Sequence, residues 1–247
     1  MQIPKKIHYC WFGRGEKNDL MKTCIESWKS MMPDYEIIEW NEDNFCSDNR
    51  YFNEALAMKK YAFASDYARL KIIYDNGGLY LDTDVEIIKD LTPILNNGPF
   101  MALETSNNVA TGLGFYAEKN NELVGEILHS YDKIPFVTEN AIDNTPCPQR
   151  NTLVLKQYGF QYKQIVQKIK NVTIYPAEYF CPMNYDTAKI HTTKNTYTIH
   201  HYSYSWADED SKKLLEVKRK IFKILPSKLA QFVFNVYNKL TRGLKKK

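Results

Sequence analysis

Residues 59–86 read KKYAFASDYARLKIIYDNGGLYLDTDVE. Phe63, Tyr67, Leu70 and Tyr74 recur at i, i+4, i+7 and i+11, the spacing of one helix face, which predicts a helix over 59–76. Gly77 and Gly78 supply the stop, because glycine alone takes the left-handed end conformation without steric cost. Leu79-Tyr80-Leu81 then reads as a short buried strand that runs straight into Asp82-Thr83-Asp84. Two carboxylates therefore sit where a strand leaves a sheet. In extended chain their side chains alternate, so both reach one ligand only if the backbone turns there.

The helix before the turn sharpens this reading. At about 100° per residue, Asp66 and Arg69 share a face with Ala62 and Ile73, and Ala64, Ala68 and Ile72 make the rest of the helix largely apolar. A charge in such surroundings needs a partner, since burying it unpaired costs several kcal/mol. Asp66 and Arg69 either pair with each other at i, i+3 or face a polar ligand, with the carboxylate accepting from sugar hydroxyls and the guanidinium donating to phosphate. Hard divalent cations such as Mg²⁺ or Mn²⁺ suit Asp82 and Asp84, and they complete their shells with water and substrate phosphates. A plain polar turn would use the same residues.

Working outward, Ile7-His8-Tyr9-Cys10-Trp11-Phe12 is a β-branched and aromatic run that stops at Gly13, a first strand. Residues 17–31 look helical, Pro33 ends them, and Glu36-Ile37-Ile38-Glu39-Trp40 alternates with period two. A β-α-β opening implies parallel crossover strands, whose ligands sit at their carboxyl ends. Further strands are predicted at 100–103, 114–116, 172–175 and 196–200, with a helix over 122–131. The strand at 196–200 leads into His200-His201-Tyr202-Ser203-Tyr204-Ser205-Trp206. Two adjacent histidines in a strand face opposite ways, so one of them can complete a metal site with Asp84. Trp11, at the end of the first strand, can stack a nucleobase or serve as core.

The 247 residues, 44% apolar and 14% aromatic, suffice for a substantial core. The net charge of +4 hides a division: residues 212–247 carry +11 and residues 1–211 carry −7. An acidic body disfavours a nucleic-acid binder. Five scattered cysteines without a C-x-x-C argue against a disulfide framework or a zinc site, and point to a reducing compartment. With no leader pattern at the N-terminus, a cytoplasmic protein is expected, and the sequon at Asn171 is incidental. The tail splits at Pro226 into two helical segments. Leu229, Phe232, Val233, Val236, Tyr237 and Leu240 form an apolar stripe among Lys228, Lys239 and Arg242, the pattern of a helix lying on an anionic membrane surface. The same pattern would serve a helical pair packing on the body.

Taken together, IPKKIHYCWFG, ESWKSMMPDYEIIEW, ASDYARLKIIYDNGGLYLDTDVE, IYPAEYFCP and HHYSYSW resemble the DXD-containing sugar transferases. That family includes bacterial capsular polysaccharide glycosyltransferases, fungal initiating mannosyltransferases and α-1,4-galactosyltransferases. The S-D-x-x-R helix before G-G-x-Y-x-D-x-D also resembles the equivalent block of clostridial glucosylating toxins. The resemblance implies an α/β, GT-A type Rossmann-like domain, which the charge division assigns to 1–211, with 212–247 as a basic amphipathic helical tail. It implies a metal-dependent (Mn²⁺ or Mg²⁺) retaining hexosyltransferase. Such an enzyme takes a nucleoside diphosphate sugar, a UDP-hexose foremost, and serves a glycan acceptor, lipid-linked, in surface polysaccharide synthesis at the inner face of the cell membrane. Position by position, Asp66 and Arg69 would hold donor sugar and phosphate. Asp82 would contact ribose or sugar hydroxyls and reach the metal through water, and Asp84 would bind the metal directly. His201 would be the third ligand, with His200 and Ser205 as alternatives, Trp206 would close over the diphosphate and Trp11 would lie near the base. Two other readings of the same residues are an aspartyl-nucleophile phosphatase using D-T-D-V and a sugar-binding module without chemistry.

Overall fold

A computed structural model describes residues 3–139, 141–203 and 209–244. Strand β1 (Lys6–Cys10) is followed by α1 (Asp19–Met31) and β2 (Glu36–Trp40), and β1 pairs parallel with β2 from Lys6↔Glu36 to Cys10↔Trp40. The expected crossover is present. Helix α1 starts two residues later than the periodicity suggests because Asn18 caps it, its side chain accepting from Met21 N at 3.0 Å.

Helix α2 (Arg50–Ala57), unforeseen from the sequence, precedes α3 (Tyr61–Asn76) and strand β3 (Gly78–Tyr80). Gly77 ends α3 at φ 68° with its N–H on Ile73 O at 2.8 Å. A Cβ on Gly77 would lie 2.9 Å from Lys119 N, and one on Gly78 (φ 113°) would lie 2.9 Å from His8 Nε2, so the pair is required by conformation and by space. Strand β4 (Val85–Ile87), helix α4 (Thr92–Leu95), β5 (Phe100–Ala102), β6 (Phe115–Ala117) and α5 (Glu122–His129) follow. Then come α6 (Cys147–Lys156), β7 (Gln167–Ile169), β8 (Val172–Tyr175), α7 (Ala177–Phe180) and β9 (Thr198–His200).

Seven strands form one mixed sheet in the order β2-β1-β3-β6-β5-β8-β7, and β4 pairs antiparallel with β9 in a separate ribbon. The α/β class read from the sequence is the one observed. Helix α3 is buried on several sides, as its composition requires: Tyr67, Leu70, Ile72 and Ile73 join Tyr51 and Phe52 of α2 and Leu123 and Ile127 of α5 in one core. Helix α1 fixes the ribbon. The fully buried Trp28 donates its indole N–H to Val85 O at 2.6 Å, and Ile87 N donates to Ser27 Oγ at 2.9 Å.

The chain divides into two compact units, Met1–Pro182 with His191–His201, and Met183–Ile190 with Tyr202–Lys247. The second contains the tail as two helices, α8 (Glu209–Ile224) and α9 (Ser227–Leu244), separated at Pro226 as the sequence suggests. Among the described residues no helix is long and apolar enough to cross a membrane.

Candidate active site

The backbone turns where the two carboxylates require it. Strand β3 ends at Tyr80, Leu81 N still bonds His8 O of β1, and Asp82 N bonds Gly112 O. Val85 N then returns to Asp82 O at 3.0 Å, closing a turn over Asp82-Thr83-Asp84 before β4 begins. His201 N donates to Asp84 O at 2.9 Å, so the ribbon partner β9 delivers its own end to the same place. Asp82, Asp84 and His200 thereby bring one ligand atom each to within 4.8 Å of one another. His200 Nε2 lies 3.2 Å from Asp84 Oδ1. Strand alternation sends the neighbouring histidine elsewhere, and His201 Nε2 lies 2.8 Å from Glu86 Oε2.

Arg69 adjoins this cluster. Its guanidinium is 3.1 Å from Asp82 Oδ1 and 3.3 Å from Asp66 Oδ1, while Nε donates to Ser65 O and the plane lies over the Tyr80 ring at 5.2 Å. Tyr80, two residues before Asp82 and so on the same side of the strand, donates its hydroxyl to Asp82 Oδ1 at 3.0 Å. Behind Arg69, Cys147 Sγ is 3.9 Å from Nη1 and is itself met by Thr111 Oγ1 and Asn151 Nδ2, both at 3.6 Å. The i, i+3 pair and the ligand-facing arrangement weighed from the sequence are combined, because Arg69 bridges its helix neighbour to the D-x-D turn.

Burial sets the electrostatics. It pushes the Asp66 carboxyl up to about 6, with Arg69 opposing and Asp82 adding to the rise. It also raises Asp82, against the pull of Arg69. Arg69 itself loses solvation, but Asp82, Tyr80 and Asp66 outweigh that loss and keep it firmly charged. Burial disfavours a charged His200 as well, and Asp84 reverses the balance, holding the imidazole well above its ordinary value. Two carboxylates and an imidazole at this spacing are a donor set that fits Mn²⁺ or Mg²⁺.

Residues 18–101 match the family described as the glycosyltransferase sugar-binding region containing a DXD motif. Through this region, about a third of its length, the chain is similar to the DXD-containing glycosyltransferases. Inositol phosphoceramide mannosyltransferase 3 of Schizosaccharomyces pombe is 24% identical over 142 residues, 54% of this chain and 38% of the relative. Subversion of eukaryotic traffic protein A of Legionella pneumophila is 28% identical over 114 residues, 34% of this chain and 17% of the relative. The chain thus spans well under half the length of these curated relatives. The solved PaToxG glycosyltransferase superposes with a TM-score of 0.48 at 20% identity, covering 63% of this chain and 69% of that one.

Of the residues singled out from the sequence, Asp66, Arg69, Asp82 and Asp84 are brought together. The cluster takes His200, whereas His201, the ligand named from the resemblance, bonds Glu86. Trp11 stands at the end of β1 with its indole N–H on Gly15 O at 2.7 Å and Lys17 Nζ 5.1 Å from its ring. Ser205 and Trp206 lie outside the described residues. Tyr80, Gly112 and Cys147 were missed. The first is signalled by its i, i+2 relation to Asp82, but the other two arrive from loops and helices far along the chain with no local pattern.

Proposed function

We propose that the protein is a metal-dependent hexosyltransferase that draws a nucleoside diphosphate sugar, a UDP-hexose foremost, and transfers the hexose with retention to a glycan acceptor. The carrying observation is the Asp82–Asp84–His200 cluster with the buried Arg69 beside it, held between Asp66 and Asp82. A sugar diphosphate needs both parts, a cation site for its phosphates and a donor-acceptor pair for its sugar.

Asp84 and His200 would hold Mn²⁺ or Mg²⁺ directly, with Asp82 completing the carboxylate pair. When bound, such a cation neutralises charge that develops on the departing diphosphate. The chain's own groups do the rest. Arg69 is pre-organised by two carboxylates and stays charged, so it can donate to the diphosphate without reorganising, the kind of contribution worth about 10²–10³ in rate. Asp66 accepts from hexose hydroxyls, and the Tyr80 hydroxyl holds Asp82 in place from below. In a retaining transfer the acceptor hydroxyl approaches on the face from which the diphosphate leaves.

We further assign the acceptor as lipid-linked and the setting as the cytoplasmic face of the cell membrane, in surface polysaccharide synthesis. The support is the charge division between the acidic 1–211 and the basic 212–247. On this reading 1–211 is the catalytic part and 212–247 the appendage. The test is a panel of UDP- and GDP-sugars screened for metal-dependent thermal stabilisation, followed by hydrolysis or transfer of the hit. One donor should stabilise only with metal present, and Asp84→Asn should abolish the effect. Stabilisation that is equal with and without metal overturns the proposal.

A further inference from the structure

The tail helices bury only part of their apolar surface against each other. In the second unit, Leu215 and Phe222 of α8 and Ala230 and Phe234 of α9 are buried, and each pair follows a helical spacing, i, i+7 and i, i+4. Lys218 adds to the join, with Nζ 5.2 Å from the Phe234 ring and paired to Asp186 at 2.5 Å. A second apolar stripe remains uncovered. Leu229, Phe232 and Val236 recur at i, i+3 and i+7 on α9 and are exposed, Phe232 by 66%. On α8, Ile224 is 81% exposed, on the side opposite Leu215 and Phe222 and in line with Lys213 and Lys220 at 100° per residue. The stripe marked in the sequence is therefore the open one, with Leu229, Phe232, Val236 and Tyr237 exposed, and the α8–α9 join uses Ala230 and Phe234 beside it.

What covers that face is indicated by charge. Residues 212–247 carry +11 with Glu216 as their one acid, and Lys213, Lys220, Lys223 and Lys228 are exposed. A protein partner or a second copy of this chain would have to absorb that charge, and a second copy would add another +11. An anionic bilayer suits both features, with apolar side chains entering the acyl boundary while the lysines meet headgroup phosphates.

We propose that the outer face of the α8–α9 hairpin, centred on Ile224, Leu229, Phe232 and Val236, docks flat on an anionic lipid bilayer. This rests on the reading above that the acceptor is lipid-linked, and it names the surface by which the enzyme reaches it. The hairpin needs no spanning segment, only this face and its lysines.

The test is co-sedimentation of the full chain with phosphatidylcholine vesicles, with and without phosphatidylglycerol, alongside donor hydrolysis of the same samples. Wild type should partition at least about tenfold better onto the phosphatidylglycerol vesicles, and raising the salt should weaken binding. Phe232→Asp with Leu229→Asp, both on the open face and away from the α8–α9 join, should lose vesicle binding by at least about tenfold while keeping the same melting temperature and donor hydrolysis. Equal binding to neutral vesicles, no binding to either, or a dimer dissolved by the double variant overturns the docking. Absence of hydrolysis in wild type would instead sink the transferase reading and leave vesicle binding to be judged by itself.

Discussion

Arg69 Nη2 lies 3.1 Å from Asp82 Oδ1, which ties the middle of α3 to the turn that ends β3. The guanidinium is buried and also meets Asp66, so one cation separates two carboxylates that would otherwise face each other in an apolar setting. Removing it should be costly: Arg69→Ala leaves uncompensated buried charge, and the expected loss of stability is about 3–5 kcal/mol in denaturant unfolding at neutral pH. The loss should shrink on acidification, because both carboxyls titrate upward from their ordinary range and become neutral. Arg69→Lys keeps the charge but lacks the fork that spans both partners, so it should recover much of the stability and little of the donor turnover.

The two histidines at the end of β9 make separable predictions. Asp84→Asn and His200→Gln should each weaken Mn²⁺ binding by at least about tenfold in a calorimetric titration. His201→Gln breaks only the contact with Glu86 and should leave Mn²⁺ affinity within about twofold, well under the 1.4 kcal/mol that a tenfold change represents. The reverse ranking would move the third ligand to His201.

Gly112 carries a steric prediction. Its carbonyl accepts Asp82 N, and a Cβ there would collide with Asp82 Oδ2 and come within 3.0 Å of Arg69 Nη1. Gly112→Ala must displace the carboxylate that Arg69 and Tyr80 hold. Stability should fall by about 1–3 kcal/mol, as for other overpacked sites, and donor turnover should fall further than stability explains. Gly15, where a Cβ meets nothing within 4 Å, serves as the control substitution for stability.

Much of the fold was legible from the sequence because its signals are local. Helix α3 announces itself by periodicity, its stop by two glycines, and β1 and β2 by β-branched and aromatic runs. Helix α2 was missed although Asn49 caps it, its side chain accepting from Phe52 N at 3.0 Å, since eight residues show little more than two turns of pattern. Strand β4 has three residues, and its partner β9 lies more than a hundred positions on. That register, Val85↔His200, decides which histidine joins Asp84, and nothing within HHYSYSW encodes it. Cys147 and Gly112 reach the site in the same long-range manner. Only the tertiary fold reveals them.

His8 supplies a test of the fold at a distance from the D-x-D turn. Its ring is fully buried on β1, with Trp40 Nε1 donating to Nδ1 at 3.0 Å and Nε2 placed 3.0 Å from Gly77 O. Trp40 can donate only to an unprotonated Nδ1, so the native ring is neutral with its proton on Nε2. Burial is the main cause that lowers its pKa to about 4, whereas an unfolded histidine titrates near 6.5. Between those values the unfolded chain binds the extra proton and the folded chain does not, so this residue's contribution to stability declines as pH falls from about 6.5 towards 4. His8→Gln can keep a donor towards Gly77 O and an acceptor towards Trp40 but cannot titrate. The wild type should therefore lose about 2 kcal/mol of its advantage over His8→Gln between pH 7 and about pH 4.5, measured by urea unfolding at matched ionic strength. Taking the difference between the two proteins removes the carboxyl contributions common to both, including those of Asp66 and Asp82. A difference that stays constant with pH would mean that the folded protein protonates His8 as readily as the unfolded chain, and that the Trp40 hydrogen bond does not hold.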